Sequence, residues 1–278
     1  MVDTFGDRLR ERITDFGPLC VGIDPSHRQL TSWERGDDVS GLEFFSLAML
    51  EASAGVAAAI KPQVAYFERF GSAGYRVLER LLADARDARV LVIADAKRGD
   101  IASTNDGYAQ AWLRSDSPLA SDALTMSPYL GLGTMTGLVD AAASSGRGIF
   151  VVVASSNDEG RVVQEALIDG DTRVEDALLE HIAQWNAGSD VVGSVGAVVG
   201  ATRDRPRFDL ARVKGPFLVP GVGEQGASPE HVARLFAGVT PGTVLVNVSR
   251  VVSSAGPDAT SIRDAAQRWR DDLAAALP

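Results

Sequence analysis

Short apolar segments recur along the chain, and polar segments with helical periodicity separate them. Most of the apolar segments are continuously apolar rather than alternating, which is typical of parallel strands that are buried on both faces of a sheet. They predict strands at Leu19–Asp24, Val56–Lys61, Val90–Asp95, Ala123–Met126, Ile149–Ala154, Val195–Gly200, Phe217–Pro220 and Val244–Val248.

The segments between these strands predict helices. An amphipathic helix also precedes the first strand, with Phe5, Leu9 and Ile13 on one face. Local signals mark some helix ends, because Ser228-Pro229 pairs an N-cap residue with a proline at the first helical position, and Gly55 stands where a helix should end. The predicted helices lie at about 41–54, 68–87, 103–115, 132–146, 159–187, 207–214, 229–237 and 258–276.

Eight alternations of strand and helix predict an α/β fold, a (β/α)8 TIM barrel, as one domain over residues 1–278. An open doubly wound sheet is the rival fold. It would more often carry a Gly-x-Gly-x-x-Gly turn after the first strand, where this chain has Val21-Gly22-Ile23-Asp24-Pro25. The long connection from Pro25 to Ser40 fits a lid, an interface arm or an inert insertion equally well.

Charge and cysteine content narrow the function classes. The chain has 37 acidic and 27 basic residues, a net charge of −10, which argues against general binding of nucleic acid or of an anionic membrane. No segment reaches the length of a membrane-spanning helix, and the start of the chain does not resemble a secretory signal. The single cysteine, Cys20, lies in an apolar run, so we expect a buried strand residue and a reducing compartment, the cytoplasm.

The end of the third strand carries the most informative residues, Asp95, Lys97 and Asp100, within Ala94-Asp95-Ala96-Lys97-Arg98-Gly99-Asp100-Ile101. In extended chain, Asp95 and Lys97 point to the same face. Placing charged groups so close to one another costs free energy unless they neutralise one another or take part in a reaction. A structural salt-bridge cluster at the surface is the alternative interpretation.

Polar residues also follow the other strands, at the end of a barrel where working residues lie. The glycine-rich turn after strand seven and Arg250 after strand eight occupy the usual phosphate site of such barrels, since glycines let backbone N–H groups approach an oxyanion and a guanidinium binds phosphate bidentately. The remaining residues of this kind are Asp24, Lys61, Ser127, Ser155, Ser156 and Asn157.

These motifs resemble those of the orotidine 5′-phosphate decarboxylases, particularly a longer bacterial subgroup. The matching segments run from about residue 20 to residue 252. One departure is the sequence Ser156-Asn157-Asp158-Glu159-Gly160, where the subgroup has Ser-Asn-Pro-Gly; it leaves open whether Ser155 or Ser156 contacts the base. The segments that carry the resemblance are Lys61-Pro62, Asp95-x-Lys97-x-x-Asp100-Ile101, Ser127-Pro128-Tyr129-Leu130-Gly131, Val198-Val199-Gly200-Ala201-Thr202, Pro220-Gly221-Val222-Gly223-Glu224-Gln225-Gly226 and Val248-Ser249-Arg250.

The resemblance implies decarboxylation of orotidine 5′-monophosphate to uridine 5′-monophosphate and carbon dioxide, the last step of de novo pyrimidine synthesis, with no metal and no organic cofactor. Lys97 would stabilise the carbanion and donate the proton. Lys61, Asp95, Lys97 and Asp100 would form an alternating network of zero net charge that keeps Lys97 protonated.

The same resemblance implies how the nucleotide is held. Asp24 and Lys61 would bind the ribose hydroxyls, and Ser156, or Ser155 in the other register, would bind the base. Asp100 and Thr104 would reach into the active site of a second subunit, so the active unit would be a homodimer. The residues expected at the substrate phosphate are Pro220, Gln225 and Arg250.

Two other functions stay open from the sequence. A sugar-phosphate decarboxylase or aldolase of the same superfamily also has an Asp-x-Lys-x-x-Asp motif, but it typically carries an acidic residue where Lys61 stands, to hold magnesium. A catalytically silent barrel that binds a nucleotide is the other. The complete charge set argues against this second function, because a silent homologue would be expected to lose Lys97 or an aspartate.

Overall fold

The computed structural model of the protein describes residues 4–277, and in this range eight parallel strands close into a barrel. Every strand pairs with the next along the chain, and the last pairs with the first, which confirms the (β/α)8 prediction. The strands are β1 (Leu19–Ile23), β2 (Ala59–Pro62), β3 (Leu91–Arg98), β4 (Ala123–Met126), β5 (Gly148–Ala154), β6 (Val195–Val199), β7 (Phe217–Val219) and β8 (Val244–Val248).

Helices follow the strands around the outside of the barrel. Ser228 caps its helix by accepting a hydrogen bond from the His231 N–H, and Gly55 has a positive φ just after a helix end, as the sequence predicts. The helices are α1 (Phe5–Phe16), α2 (His27–Ser32), α3 (Val39–Ser53), α4 (Ala65–Glu68), α5 (Gly71–Asp87), α6 (Ala102–Trp112), α7 (Thr136–Ser144), α8 (Arg161–Gln164), α9 (Val174–Trp185), α10 (Pro229–Leu235), α11 (Arg250–Ser253) and α12 (Ala259–Ala276).

Helix α1 closes the amino-terminal end of the barrel. Phe5 and Leu9 are fully buried, and Phe5 meets Phe150 of β5 edge to face, with ring centroids 5.9 Å apart. Cys20, Ile93 and other inward-facing strand residues belong to the same apolar cluster. Since this end is sealed by side chains, the carboxyl-terminal end of the strands is where a ligand can enter.

The structure differs from the predicted elements mainly in the helices. The predicted helix over 159–187 is interrupted, because only α8 and α9 form and residues 165–173 make a loop held by the Leu167–Arg173 bridge, with Gly170 at φ +56°. The helix predicted over 68–87 divides at Gly71, which has φ +58°. The helix predicted over 207–214 is a short 3₁₀ turn, Leu210–Val213.

The connection between β1 and α3 is packed against the barrel rather than free. It contains α2, which the sequence did not predict, and the buried Trp33. Trp33 Nε1 donates to the Ser253 carbonyl at 2.8 Å, and Gln29 Nε2 donates to Ser253 Oγ at 2.9 Å. This segment therefore holds α11, which begins at Arg250. No helix within residues 4–277 is long and apolar enough to cross a membrane.

Candidate active site

A cavity of about 320 Å³ opens at the carboxyl-terminal end of the strands. Polar and charged side chains line it, as the barrel prediction requires, and they come from β1, β2, β3, β4, β5, β7 and β8 or from the loops that follow these strands. The predicted site residues that the structure brings together there are Asp24, Lys61, Asp95, Lys97, Ser155, Ser156, Pro220, Gln225 and Arg250.

Asp95 lies at the centre of a buried charge cluster. Its Oδ2 accepts a hydrogen bond from Lys61 Nζ at 2.7 Å, and its Oδ1 accepts from Lys97 Nζ at 2.6 Å and from Thr125 Oγ1 at 3.0 Å. The side chains of Lys61 and Asp95 are 6% and 9% exposed, whereas that of Lys97 is 49% exposed. Lys97 is therefore the cation of this cluster that is open to the cavity.

Both buried members of the cluster are held in their charged forms. Burial alone would raise the pKa of Asp95, but the positive charges of Lys61 and Lys97 outweigh it, and the pKa of Asp95 lies well below its usual range. Burial alone would lower the pKa of Lys61, but the charges of Asp95 and Asp24 outweigh it and raise that pKa. At neutral pH the buried pair of Lys61 and Asp95 therefore keeps its opposite charges.

The backbone of β3 departs from regular strand geometry where it presents Lys97. Its register with β4 shifts between Ala94 and Arg98, and Lys97 has φ +46°. The Lys97 N–H donates to Thr125 Oγ1 at 2.9 Å, which supports this uncommon conformation. Backbone strain of this kind is concentrated at functional sites.

Gln63 and Thr125 are site residues that the sequence reasoning missed. In the amide orientation that satisfies both of its ends, the Gln63 oxygen accepts from Lys97 Nζ at 3.3 Å, and its nitrogen donates to the Asp95 carbonyl. Thr125 lies within the apolar run of β4, where a hydroxyl was the only sequence signal. Their roles are visible only once β2, β3 and β4 lie side by side.

Two buried oxygen atoms on the cavity wall lack a hydrogen-bond partner among the described residues. They are Oδ1 of Asp24, which the sequence predicted, and Oδ1 of Asn247, which it did not. Asn247 is the one polar residue in the apolar run of β8, and that interruption is the signal that could have found it. Since buried acceptors are normally satisfied, these atoms fit a ligand rich in hydroxyl or N–H groups.

The two candidate base-binding serines differ in their hydrogen bonds. Ser155 already has a hydrogen-bond partner, Gln164 of α8. The Gln164 side chain accepts from the Ser155 N–H at 3.1 Å and donates to Ser155 Oγ at 2.8 Å. The hydroxyl of Ser156 has no such partner within residues 4–277, although its carbonyl accepts from Thr202 Oγ1 at 3.1 Å. Ser156 is therefore the serine whose hydroxyl is available to a ligand.

The opposite side of the cavity is formed by loops. Gly221 has φ +100°, a backbone conformation that residues with a Cβ rarely adopt, so the turn requires glycine at this position. The backbone N–H groups of Glu224 and Gln225 have no acceptor within the described chain. Arg250 Nη1 donates to Glu224 Oε1 at 2.7 Å. Free N–H groups and a guanidinium together fit an anionic group.

Asp100 and Thr104 do not line the cavity of their own chain. Asp100 Oδ1 accepts from the Ile101 N–H at 2.8 Å. The Asn105 side chain accepts from the Asp100 N–H and donates to the Asp100 carbonyl. The expected network of four residues is therefore three residues within one chain, with Asp100 outside it. Ser127 is also absent from the cavity wall, and its backbone N–H donates to the Arg98 carbonyl at 2.7 Å.

Neither a thiol nor a metal-ligand cluster is available for catalysis among the described residues. Cys20 is fully buried, and burial raises the pKa of its thiol to about 12, so it does not supply a thiolate nucleophile. Within residues 4–277, no group of three or more histidine, cysteine, aspartate or glutamate side chains is placed to hold a metal ion.

Comparison with known proteins places this site in a family. Residues 17–265 match the model of the orotidine 5′-phosphate decarboxylase / HUMPS family. Curated proteins named orotidine 5′-phosphate decarboxylase are similar over 99% of both chains, at 49% identity in Streptomyces coelicolor and 47% in Salinispora arenicola.

Solved structures agree with this match. A candidate orotidine 5′-phosphate decarboxylase from Streptomyces avermitilis is 49% identical, with a TM-score of 0.94 over 99% of this chain and 96% of that one. The decarboxylase of Leishmania donovani is 31% identical, with a TM-score of 0.77 over 98% of each chain. The similarity therefore covers the whole barrel.

Proposed function

The chain belongs to the orotidine 5′-phosphate decarboxylase / HUMPS family and is a carboxy-lyase, and we propose that it converts orotidine 5′-monophosphate to uridine 5′-monophosphate and carbon dioxide within one barrel domain. The observation that carries the proposal is the position of Lys97. Its ammonium is held 2.6 Å from the buried Asp95 carboxylate and faces a cavity whose other side offers an anion site.

The reaction needs a preorganised positive charge. When the bond between the pyrimidine ring and its carboxylate breaks, carbon dioxide leaves and the electron pair stays on a ring carbon with no π-system to absorb it. The Lys97 ammonium stabilises that charge without reorganisation and then transfers a proton to the same carbon. Water afterwards reprotonates the Lys97 amine.

Asp95 and Lys61 position this proton donor. Because Asp95 stays ionised, it holds the Lys97 ammonium in place through a charged hydrogen bond. Lys61 neutralises Asp95 from the opposite side, and Thr125 fixes the carboxylate with a third hydrogen bond. All the necessary charges come from side chains, so the proposed reaction uses neither metal nor organic cofactor.

The rest of the cavity holds the nucleotide in the proposed complex. Asp24, with its unsatisfied Oδ1, and Lys61 bind the ribose hydroxyls. The free hydroxyl of Ser156 binds the base. The phosphate lies at the loop end, and its binding energy contributes to the chemical step although it is remote from the reacting carbon. The residues proposed at the phosphate are Pro220, Gln225 and Arg250.

A homodimer is the proposed active unit. Asp100 and Thr104 lie outside their own cavity, which is compatible with the proposal that they serve the site of a second copy. Ile101 is 55% exposed and Tyr129 is 82% exposed on the same side of the barrel, and such apolar side chains favour contact with a partner. The cytoplasm stays the expected compartment.

A turnover assay tests the proposed function. Purified protein is incubated with orotidine 5′-monophosphate, and both the loss of substrate and the release of carbon dioxide are measured, with and without exhaustive chelation. We expect turnover that chelation does not change. Turnover that requires magnesium, or activity only on sugar phosphates, would favour the other enzymes of the superfamily. Binding without any turnover would indicate a silent barrel.

A further inference from the structure

Glu224 binds the guanidinium of Arg250, which the proposed function assigns to the substrate phosphate. It is part of the glycine-rich turn between Gly221 and Gly226, and its Oε1 accepts from Arg250 Nη1 at 2.7 Å. The two side chains are 42% and 47% exposed, and both line the cavity of the candidate active site. The carboxylate of Glu224 thus pairs with the same cation that the phosphate is proposed to use.

The pair also separates two compartments. A second, polar cavity of about 400 Å³ lies on its other side, and Asp24, Glu224 and Arg250 line both cavities. Arg28 lines only this second cavity. A carboxylate that leaves Arg250 therefore has a polar cavity to enter, with the cation Arg28 on its wall.

A phosphate dianion and the Glu224 carboxylate cannot share Arg250 without repulsion. The phosphate carries the greater charge and accepts bidentate hydrogen bonds from the guanidinium, so it displaces the carboxylate at a cost in affinity. We propose that Glu224 is a specificity-determining residue that competes with the ligand phosphate for Arg250. This inference rests on the proposed phosphate site.

The competition has a direct consequence for ligand choice. Glu224 weakens the binding of every phosphate-bearing ligand, including the product, and thereby favours product release. It leaves the binding of a nucleoside without phosphate unchanged, because Arg250 then keeps its partner. The expected size is set by exposed ion pairs, which correspond to about a two- to five-fold change in affinity.

The test measures the dissociation constant of uridine 5′-monophosphate by calorimetry for the wild type and for Glu224→Gln. We expect the variant to bind this nucleotide about two- to five-fold more tightly and to bind uridine equally well. Glu43→Gln is the matched control, because Glu43 also accepts from an arginine, Arg80, at 2.7 Å and is 39% exposed, but does not line the cavity. It makes the same change in net charge and should leave both affinities unchanged.

A double-mutant cycle separates competition for Arg250 from a general effect of charge. In an Arg250→Gln background, Glu224→Gln should gain little affinity for uridine 5′-monophosphate. An unchanged or weaker affinity in the Glu224→Gln single variant, or an equal gain in Glu43→Gln, would overturn the inference. Those outcomes would leave the proposed function intact if the wild type still decarboxylates orotidine 5′-monophosphate, whereas absent turnover with tighter nucleotide binding would overturn only the function.

Discussion

The two sides of the cavity are built in opposite ways. The side with Lys61, Asp95 and Lys97 consists of strand residues whose charges are paired at 2.6–2.7 Å, and two of the three side chains are almost completely buried. The side with Gln225 and Arg250 consists of loop and helix-start residues that are exposed. We call them the strand side and the loop side.

The difference indicates which step each side serves. On the strand side, the desolvated pair of Lys61 and Asp95 holds the Lys97 ammonium in place before a ligand arrives, as electrostatic stabilisation of a transition state requires. Charges on the loop side are hydrated and exchange partners readily, which suits a group that must be captured and released in every cycle. In this account, chemistry depends on the strand side and ligand selection on the loop side.

Removal of Asp95 should cause the largest loss, because it breaks the buried ion pair of the strand side. Asp95→Ala leaves the buried Lys61 without its counter-charge, and breaking a buried pair costs about 3–5 kcal/mol of folding free energy. Urea unfolding measures this loss. Asp116→Ala removes a carboxylate from an exposed pair with Arg114 and should leave stability almost unchanged, because solvent screens that pair. Similar losses in the two variants would contradict the contrast between buried and exposed pairs.

Removal of Arg250 should affect ligand selection rather than folding. Arg250→Ala should lower kcat/KM for orotidine 5′-monophosphate by an amount that corresponds to about 2–5 kcal/mol of lost transition-state stabilisation. This is the usual cost of truncating one partner of a charge pair that becomes desolvated on binding. Gln225→Ala should act in the same direction. The nucleoside orotidine has no phosphate and should lose far less, so steady-state kinetics on both substrates decide the matter. Equal losses on both would assign these residues another role.

Low pH should reduce the contribution of Asp95 to the free energy of unfolding. Because its pKa is lower in the folded than in the unfolded protein, its stabilising contribution is complete above the unfolded value, about 3.9, and is lost as pH falls below it. The difference in unfolding free energy between wild type and Asp95→Asn should therefore shrink below about pH 4, by at most about 1.4 kcal/mol per pH unit. A difference that stays constant between pH 6 and pH 3 would show that folding does not lower the pKa of Asp95, and a difference that grows as the pH falls would show that Asp95 is protonated in the fold.

The fourth residue expected in the charge network, Asp100, should come from the partner. Lys97→Ala and Asp100→Ala homodimers should both be inactive, whereas a mixed dimer has one site with an intact Lys97 and an intact Asp100. Statistical subunit exchange makes half of the dimers mixed, so activity should recover to about a quarter of wild type. Mass spectrometry establishes that mixed dimers form; if they form without recovering activity, Asp100 serves its own chain.

The barrel, and the residues that form most of the strand side, could be predicted from the sequence. Lys61, Asp95 and Lys97 could be predicted because continuous apolar runs mark buried parallel strands, and their ends define one edge of the barrel. Gln63 and Thr125 could not, because their contacts depend on neighbouring strands that are distant along the chain.

The loop side and the helices were less predictable. The sequence indicated a phosphate loop but not that Glu224 pairs with Arg250, since loop side chains have no periodicity that fixes their direction. The interruption at 165–173 and the packing of Trp33 depend on contacts outside their own segments, so helical periodicity did not reveal them. Asp100 appeared beside Lys97 in sequence, yet the turn at the end of β3 directs it elsewhere.

The central claim is that Lys97 supplies the proton, and the most direct measurement is the turnover of Lys97→Ala together with its affinity for uridine 5′-monophosphate. Loss of a general acid typically lowers the rate by about 10²–10⁴-fold, so kcat should fall below about 1% of wild type. The affinity for the product should persist, because the phosphate and ribose contacts remain. Turnover near the wild-type value, with binding intact, would contradict the account.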